Sequence, residues 1–351
     1  MSKWMIYGAN GYTGELIARE AKAKGLNPII AGRNEPKIQS LSKELGFTSR
    51  IFDLHNQQAL TMQLADVQLV LNCAGPFSST SLAMIKACIQ SGTHYIDITG
   101  EISVFEYAQS QNQQAIASNI LLCPGVGFDV IPTDCIAAKL KQALPDANYL
   151  ALGFDTHTSL SPGTAKTAVE GLAQGGKIRS NGKIKKVPLA WKTHNIDFGR
   201  GKKLATTIAW GDVSTAYYNT GIPNIEVYIP VSKRKLSILK AANYIGWLLR
   251  LSPVQSFLKK KAVKLKGPDY KQLKQLDTFV WGEAKNAKGE RKIVRIKTAN
   301  GYALTVSGSL AVVEFLLKNK VKAGYTTPAQ LMGSDFISKL PGSSEVAAGE
   351  N

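Results

Sequence analysis

Residues 4–21 read WMIYGANGYTGELIAREA. The stretch is apolar as far as Tyr7, breaks at Gly8, Gly11 and Gly14, and resumes with helical spacing at Leu16, Ile17 and Ala21. Three glycines at steps of three between a strand and a helix have three distinct uses. One permits a tight turn, one lets backbone approach a pyrophosphate, and one lets the helix pack on the strand. The helix that follows turns its first amides toward the phosphates. Asn10, Tyr12 and Thr13 lie between the glycines and share the expected cofactor contact. The spacing is GxxGxxG rather than GxGxxG, so its weight comes from its surroundings.

Those surroundings repeat. Strand-like runs at 3–7, 27–31, 50–52, 67–73, 95–98 and 120–123 alternate with helical patterns near 13–24, 35–45, 56–65, 79–91 and 102–118. Repeated strand–helix–strand units build a parallel sheet covered on both faces, and right-handed crossovers make it doubly wound. Residues 1–128 are therefore expected to be an α/β domain of the Rossmann kind that binds a dinucleotide.

The second strand ends in IIAGRN. A site for NAD places Asp or Glu here for the ribose 2′-hydroxyl. This chain has Arg33 and Asn34, and the planar fork of Arg33 suits a 2′-phosphate. NADP(H) is the expected cofactor. Asp53, after the third strand, is placed to touch the adenine edge or to cap the helix at 56–65. The fourth strand ends in LNCAGPF. Asn72, Cys73, Ala74, Gly75 and Pro76 are expected to border the nicotinamide, since ligands lie beyond the carboxyl ends of parallel strands.

From about Asp146 the texture changes to β-branched and aromatic runs at 149–158, 225–230, 278–281 and 292–298, separated by the turn-like GGKIRSNGKIKK and KNAKGE. Residues 129–300 are read as a second α/β domain with a mixed or antiparallel sheet. Residues 301–340 are read as C-terminal helices, and 341–351 as a disordered tail. Of the net charge of +18, none arises in residues 1–128, where nine basic residues balance nine acidic ones. Residues 177–203 hold nine basic residues against Asp197 alone, and residues 233–266 hold ten with no acid. Wound as one helix, 232–266 carries a narrow polar stripe, a wide apolar face and basic flanks. That is the composition of a helix lying on an anionic membrane. Burial against the body or in a homodimer is the competing reading. Aromatic interleaving is too sparse for nucleic acid. The four cysteines form no CxxC pair and no His/Asp/Glu set has metal-ligand spacing, so no metal is expected. No leader pattern and no uninterrupted apolar span appear. The expected location is cytoplasmic, peripheral on the inner membrane face.

GANGYTG, AGRN, LNCAGPF, CIQSGTHYIDITGE, PGVGFDVIPTD, SPGTAKTAVEGL, GYALTVSG and TTPAQLMG occur in this order. Together they resemble the saccharopine dehydrogenase-like oxidoreductases, a family that includes trans-acting enoyl reductases. The resemblance implies an NADP-binding Rossmann domain joined to an α/β domain, with the C-terminal helices of 301–340 returning to the first. Pro162 in SPGT departs from the second glycine that relatives commonly carry. Hydride transfer asks the protein to hold the nicotinamide against an acceptor and to supply a proton. Glu101 and Asp129, which follow the glycine-containing strand ends DITGE and GVGFD, are the expected catalytic residues. Tyr95, Asp97, Asp134, His157, Thr164 and Lys166 are further candidates. The expected function is an NADP(H)-dependent oxidoreductase, a reductase of a small hydrophobic acyl or polyketide-like substrate at a membrane. The alternatives are a non-catalytic NADPH-binding protein seated on lipid and a soluble saccharopine-type amino-acid dehydrogenase.

Overall fold

The alternation of strands and helices is what the chain adopts. The computed structural model describes residues 3–156, 162–249, 251–263 and 276–345. They fall into two units, Met1–Asp129 with Leu304–Leu331, and Val130–Ala303 with Met332–Asn351.

The first unit opens with β1 (Trp4–Tyr7), α1 (Tyr12–Ala23), β2 (Ile29–Gly32), α2 (Glu35–Leu45), β3 (Ser49–Ile51) and α3 (Gln57–Leu64). It continues with β4 (Leu69–Asn72), α4 (Phe77–Ser91), β5 (His94–Asp97), α5 (Ile102–Ser110), α6 (Asn112–Ala117) and β6 (Leu121–Cys123). The single helix expected over 102–118 is broken at Gln111. A late strand, β15 in chain order (Gly324–Tyr325), pairs with β6. The sheet order is β15-β6-β5-β4-β1-β2-β3, with every pairing parallel. The order reverses between β1 and β4, which opens a crevice at their carboxyl ends, where such sheets bind ligands. β1, β2 and β4 are buried along their whole length. Helices on both faces require that, and it is why these strands read as continuous apolar runs.

The second unit contains α7 (Ile131–Ala143), β7 (Tyr149–Asp155), α8 (Pro162–Gln174), β8 (Gly176–Ser180), β9 (Lys183–Val187), β10 (Thr193–Asp197), β11 (Lys202–Ile208), α9 (Asp212–Thr220) and β12 (Asn224–Pro230). Next come α10 (Lys233–Ala242), α11 (Gly246–Leu249), α12 (Ser252–Val263), β13 (Thr278–Lys285) and β14 (Arg291–Thr298). Its sheet runs β10-β11-β12-β7-β13-β14-β16, with β16 at Ser344–Glu345. β12 and β7 pair parallel and the other neighbours antiparallel, so the sheet is mixed. GGKIRSNGKIKK is not a separator: it forms the β8–β9 hairpin. Asn181 and Gly182 at its tip both take positive φ, 50° and 75°. That is the turn an Asn-Gly pair favours.

Further expectations change. Residues 232–266 do not form one helix. Asn243–Ile245 separate α10 from α11, and Pro253 in the first turn of α12 marks a fresh start, since the residue before Pro resists helical geometry. The expected stripe and face therefore do not exist as drawn. The return of the C-terminal region to the first unit ends at Leu331. The tail does not begin at 341, because Ser344–Glu345 pair with β14 and Glu345 forms an ion pair with Lys139. Residues 346–351 lie outside the described residues. Finally, α13 (Gly301–Lys318) is long and apolar enough to cross a membrane by length and composition. Its apolarity is explained by burial of Leu304, Leu310, Val312, Val313 and Leu316.

Candidate functional site

β1 delivers Gly8 into the crevice with φ +81°, a conformation that L side chains rarely adopt. A Cβ there would stand 2.7 Å from the amide nitrogen of Ala74. The Gly8 amide donates to the Ala31 carbonyl at 2.8 Å, tying the turn to β2. Gly11 caps α1 without a side chain to compete for the amides of the first turn. Gly14 brings that turn against the loop, since a Cβ on it would lie 2.4 Å from the Gly8 carbonyl oxygen. The loop is thus a bare backbone cradle leading into a helix N-terminus, which fits the pyrophosphate of a dinucleotide. Asn10 reaches over the end of β2, with its Oδ1 2.9 Å from the place a Cβ on Gly32 would take. Tyr12 and Thr13 occupy the first turn of α1, partly exposed.

Arg33 and Asp53 are exposed just beyond β2 and β3, and both act electrostatically on Tyr7 at the end of β1. Burial pushes the Tyr7 phenol up to about 12, Arg33 opposes that shift and Asp53 adds to it. The Tyr7 hydroxyl donates to the Phe52 carbonyl at 3.3 Å. Tyr7 was not singled out from the sequence; a polar-tipped aromatic at the last position of β1 was the available signal. Asn34 has a local task, accepting from the Lys37 amide at 3.1 Å as the cap of α2. Asp53 does not cap α3. It accepts from the His55 amide at 3.0 Å, and Asn56 caps the helix by accepting from Ala59.

Beyond β4 the loop is held by a buried polar network. Asn72 is fully buried; its Oδ1 accepts from the Ala74 amide at 3.1 Å, and its Nδ2 donates to Thr80 and to the Tyr95 hydroxyl, each at 3.4 Å. Tyr95 donates to Asp97 at 2.6 Å, and Asp97 accepts from the amides of Thr99 and Gly125 at 3.0 and 2.9 Å. Burial lifts Asp97 to about 6 against the pull of these donors, with the Glu101 charge adding to the rise. Burial also raises the Tyr95 phenol and the Cys73 thiol well above their ordinary values. Ala74 accepts from Thr80 at 2.6 Å, and Gly75–Pro76 is a cis peptide.

The two expected catalytic carboxylates part company. Glu101 accepts from the amides of Phe77 and Ser78, each at 2.8 Å, so both of its oxygens anchor the N-terminus of α4. Asp129 lies half-buried against Gly100, where a Cβ would come within 2.8 Å of its Oδ2. Burial first, and the Glu101 charge second, push Asp129 up to about 7. The loop that carries it is fixed by the Phe128 amide, which donates to Thr305 on α13 at 3.0 Å. Among the other candidates, Asp134 lies in the first turn of α7 in the second unit and accepts from Asn219 at 2.6 Å. His157 and the side chains of Thr164 and Lys166 lie outside the described residues, and Pro162 opens α8. Among the described residues, no group of three His, Cys, Asp or Glu could hold a metal ion.

Residues 4–122 match the family model of the saccharopine dehydrogenase NADP binding domain. The saccharopine dehydrogenase-like oxidoreductase of Mus musculus is 28% identical over 216 residues, which are 53% of this chain and 50% of that protein. A lipid droplet localized protein of Caenorhabditis elegans is 25% identical over 48% of this chain and 44% of its own length. A trans-acting enoyl reductase of Mycobacterium bovis is 32% identical over 39% of this chain and 35% of its own length. The chain thus spans about half the length, or less, of the curated relatives it matches. The solved apo saccharopine dehydrogenase of Saccharomyces cerevisiae superimposes with a TM-score of 0.67 at 12% identity, covering 99% of this chain and 100% of that one. Residues 4–122 are therefore an NADP-binding domain of the saccharopine dehydrogenase type, carried on a chain with the saccharopine dehydrogenase fold.

Proposed function

We propose that the protein is an NADP(H)-dependent reductase of a hydrophobic, α,β-unsaturated acyl substrate and that it works at a membrane surface. When bound, NADPH supplies a hydride for the β-carbon. The protein must then deliver a proton to the α-carbon, and Asp129 is the group suited to do so. A donor works best when its pKa lies near the operating pH, and Asp129 sits at about 7. The position of Asp129 against Gly100, just beyond the carboxyl end of β5 in a domain built to bind NADP, is the observation that carries the proposal. Glu101 has a positioning role, holding α4 behind the loop at 73–76. Arg33 favours the 2′-phosphate, and the bare turn at Gly8–Gly14 takes the pyrophosphate. The likeness to a trans-acting enoyl reductase supports the reaction class, and the likeness to a lipid droplet localized protein supports action at a lipid surface.

The test is NADPH consumption with a panel of unsaturated acyl thioesters of increasing chain length, for wild type and Asp129→Asn. Turnover should rise with chain length, and the variant should lose about 10²–10⁴-fold in kcat while still binding NADPH. A variant as fast as wild type removes Asp129 from the proton step. Tight NADPH binding without turnover of any acyl, keto or imino-acid substrate favours the non-catalytic reading instead.

A further inference from the structure

Among the described residues of α10, α11 and α12, no side chain is buried. Large apolar side chains stand in solvent along these three helices: Tyr244 is 87% exposed, Trp247 68%, Ile238 60% and Phe257 56%. A second, sequence-distant piece joins them. Asn243, just past α10, accepts from the Leu189 amide at 2.7 Å and donates to the Leu189 carbonyl at 3.1 Å. This clamp puts the loop after β9 beside Tyr244 and leaves a hollow of about 430 Å³ between Pro188–Trp191 and the Lys240–Tyr244 segment. Trp191, itself 48% exposed, stands on that loop. The preceding Ala190 holds φ at 54°, a conformation that non-glycine residues adopt seldom and that here shapes the loop carrying the tryptophan. The two basic stretches of the sequence also meet here. Lys186 of β9 lines a neighbouring hollow with Ala242 and Gly246.

We infer that the Trp191 loop and the α10–α12 segment form one bipartite seat for an anionic phospholipid bilayer; this rests on the membrane part of the reading above and names its partner and its residues. Charge selects the occupant. Lys233, Arg234, Lys235, Lys240, Lys260 and Lys261 are exposed, and residues 233–263 contain no acid. Protein interfaces are depleted in Lys at their centres. An interfacial seat combines Lys and Arg with exposed Trp, Tyr, Phe and Leu, as this one does. The Lys261 ammonium lies 4.7 Å from the centre of the Phe257 ring, so cation and aromatic share one patch. A long side chain of this kind keeps its charge in the headgroup layer while its stem follows the apolar surface.

The full-length protein is sedimented with vesicles of phosphatidylcholine alone and with vesicles containing phosphatidylserine, at low and at raised salt. Wild type should pellet with the anionic vesicles and stay soluble with the neutral ones, and salt should release it. Each cation near such a surface is worth about fivefold in partitioning. Lys260→Glu/Lys261→Glu should therefore weaken binding more than tenfold, and raised salt should shrink that deficit. Trp191→Ser and Trp247→Ser should each weaken binding severalfold with little salt dependence. Asn243→Ala, which frees the loop, should resemble Trp191→Ser. NADPH titration of the same variants should be unchanged, so a failure to bind lipid leaves the reductase reading standing, and a failure to bind NADPH leaves the seat standing. Wild type remaining in the supernatant with anionic vesicles at low salt overturns the proposal. Sedimentation that depends on protein concentration and not on lipid also overturns it, and gives the face to a second copy of this chain. A Trp191→Ser variant that binds like wild type removes the loop from the seat.

Discussion

The Tyr95 hydroxyl donates to the Asp97 carboxylate at 2.6 Å, inside a fully buried cluster that ties the ends of β4, β5 and β6 together. Asp97 lies at about 6 in the folded protein, above its ordinary 3.8. Its protonation therefore favours the native state, and stability falls as pH rises from about 4 to about 6. Tyr95 resists that rise by stabilising the charged form. Tyr95→Phe should cost about 1–3 kcal/mol at neutral pH, the penalty of a buried acceptor that loses its donor. It should also carry the decline to higher pH. Urea titrations at pH 5 and pH 8 check this; an equal loss at both values contradicts it.

Asp129 gives a pH test of a different kind. Its folded value of about 7 lies above its ordinary 3.8, so the native protein binds this proton more tightly than the unfolded chain does. The stability it lends is complete at low pH and is lost as pH rises from about 4 through about 7. Asp129→Asn has no such proton to lose. The variant should match wild type near pH 4 and exceed it by on the order of 1–3 kcal/mol at pH 8. With Asp129 as the proposed proton donor, the expected outcome for wild type is a kcat that declines above about pH 7.

Arg33→Ala should weaken NADPH binding about 10–100-fold, the equivalent of a charge-assisted phosphate contact of roughly 1.5–3 kcal/mol. NADH binding should hardly change. Fluorescence titration of both cofactors decides it, and wild-type protein that prefers NADH refutes the assignment of Arg33.

Gly11→Val should abolish cofactor binding, because its side chain projects into the phosphate turn, while thermal unfolding without cofactor stays cooperative. Gly14→Ala acts on packing instead. Its Cβ meets the Gly8 carbonyl oxygen at 2.4 Å, so α1 must move, at about 1–3 kcal/mol of stability. Melting curves with and without NADPH separate the two effects.

What the sequence made legible was steric. Gly8 and Gly14 serve a turn in which a Cβ would press into backbone, Gly11 leaves that turn bare, and the buried parallel strands advertise themselves as apolar runs. Contacts made only on folding left no local mark. Glu101 meets the Phe77 and Ser78 amides because β5 and α4 are neighbours, and no spacing announces that. In FDLHNQQ both Asp53 and Asn56 can cap a helix, and the nearer residue does so. The β8–β9 hairpin carried its Asn-Gly signal, yet three lysines in β9 concealed the alternation that marks a strand. The loop that carries Trp191 is brought to the end of α10 by the two hydrogen bonds between Asn243 and Leu189, which no local pattern announces.

The backbone passes from one unit to the other after Asp129, Ala303 and Leu331. During synthesis the first unit can assemble as far as β6, but β15, which closes that edge, emerges only much later. At about 5–20 residues per second, the delay is on the order of ten seconds or more. For that interval β6 presents unpaired amides and carbonyls to any chaperone or neighbouring nascent chain, the exposure that leads sheet edges to aggregate. A fragment ending at Asp129 would keep this bare edge permanently. A soluble cofactor-binding fragment should therefore include residues 304–331, joined after Asp129 by a short linker.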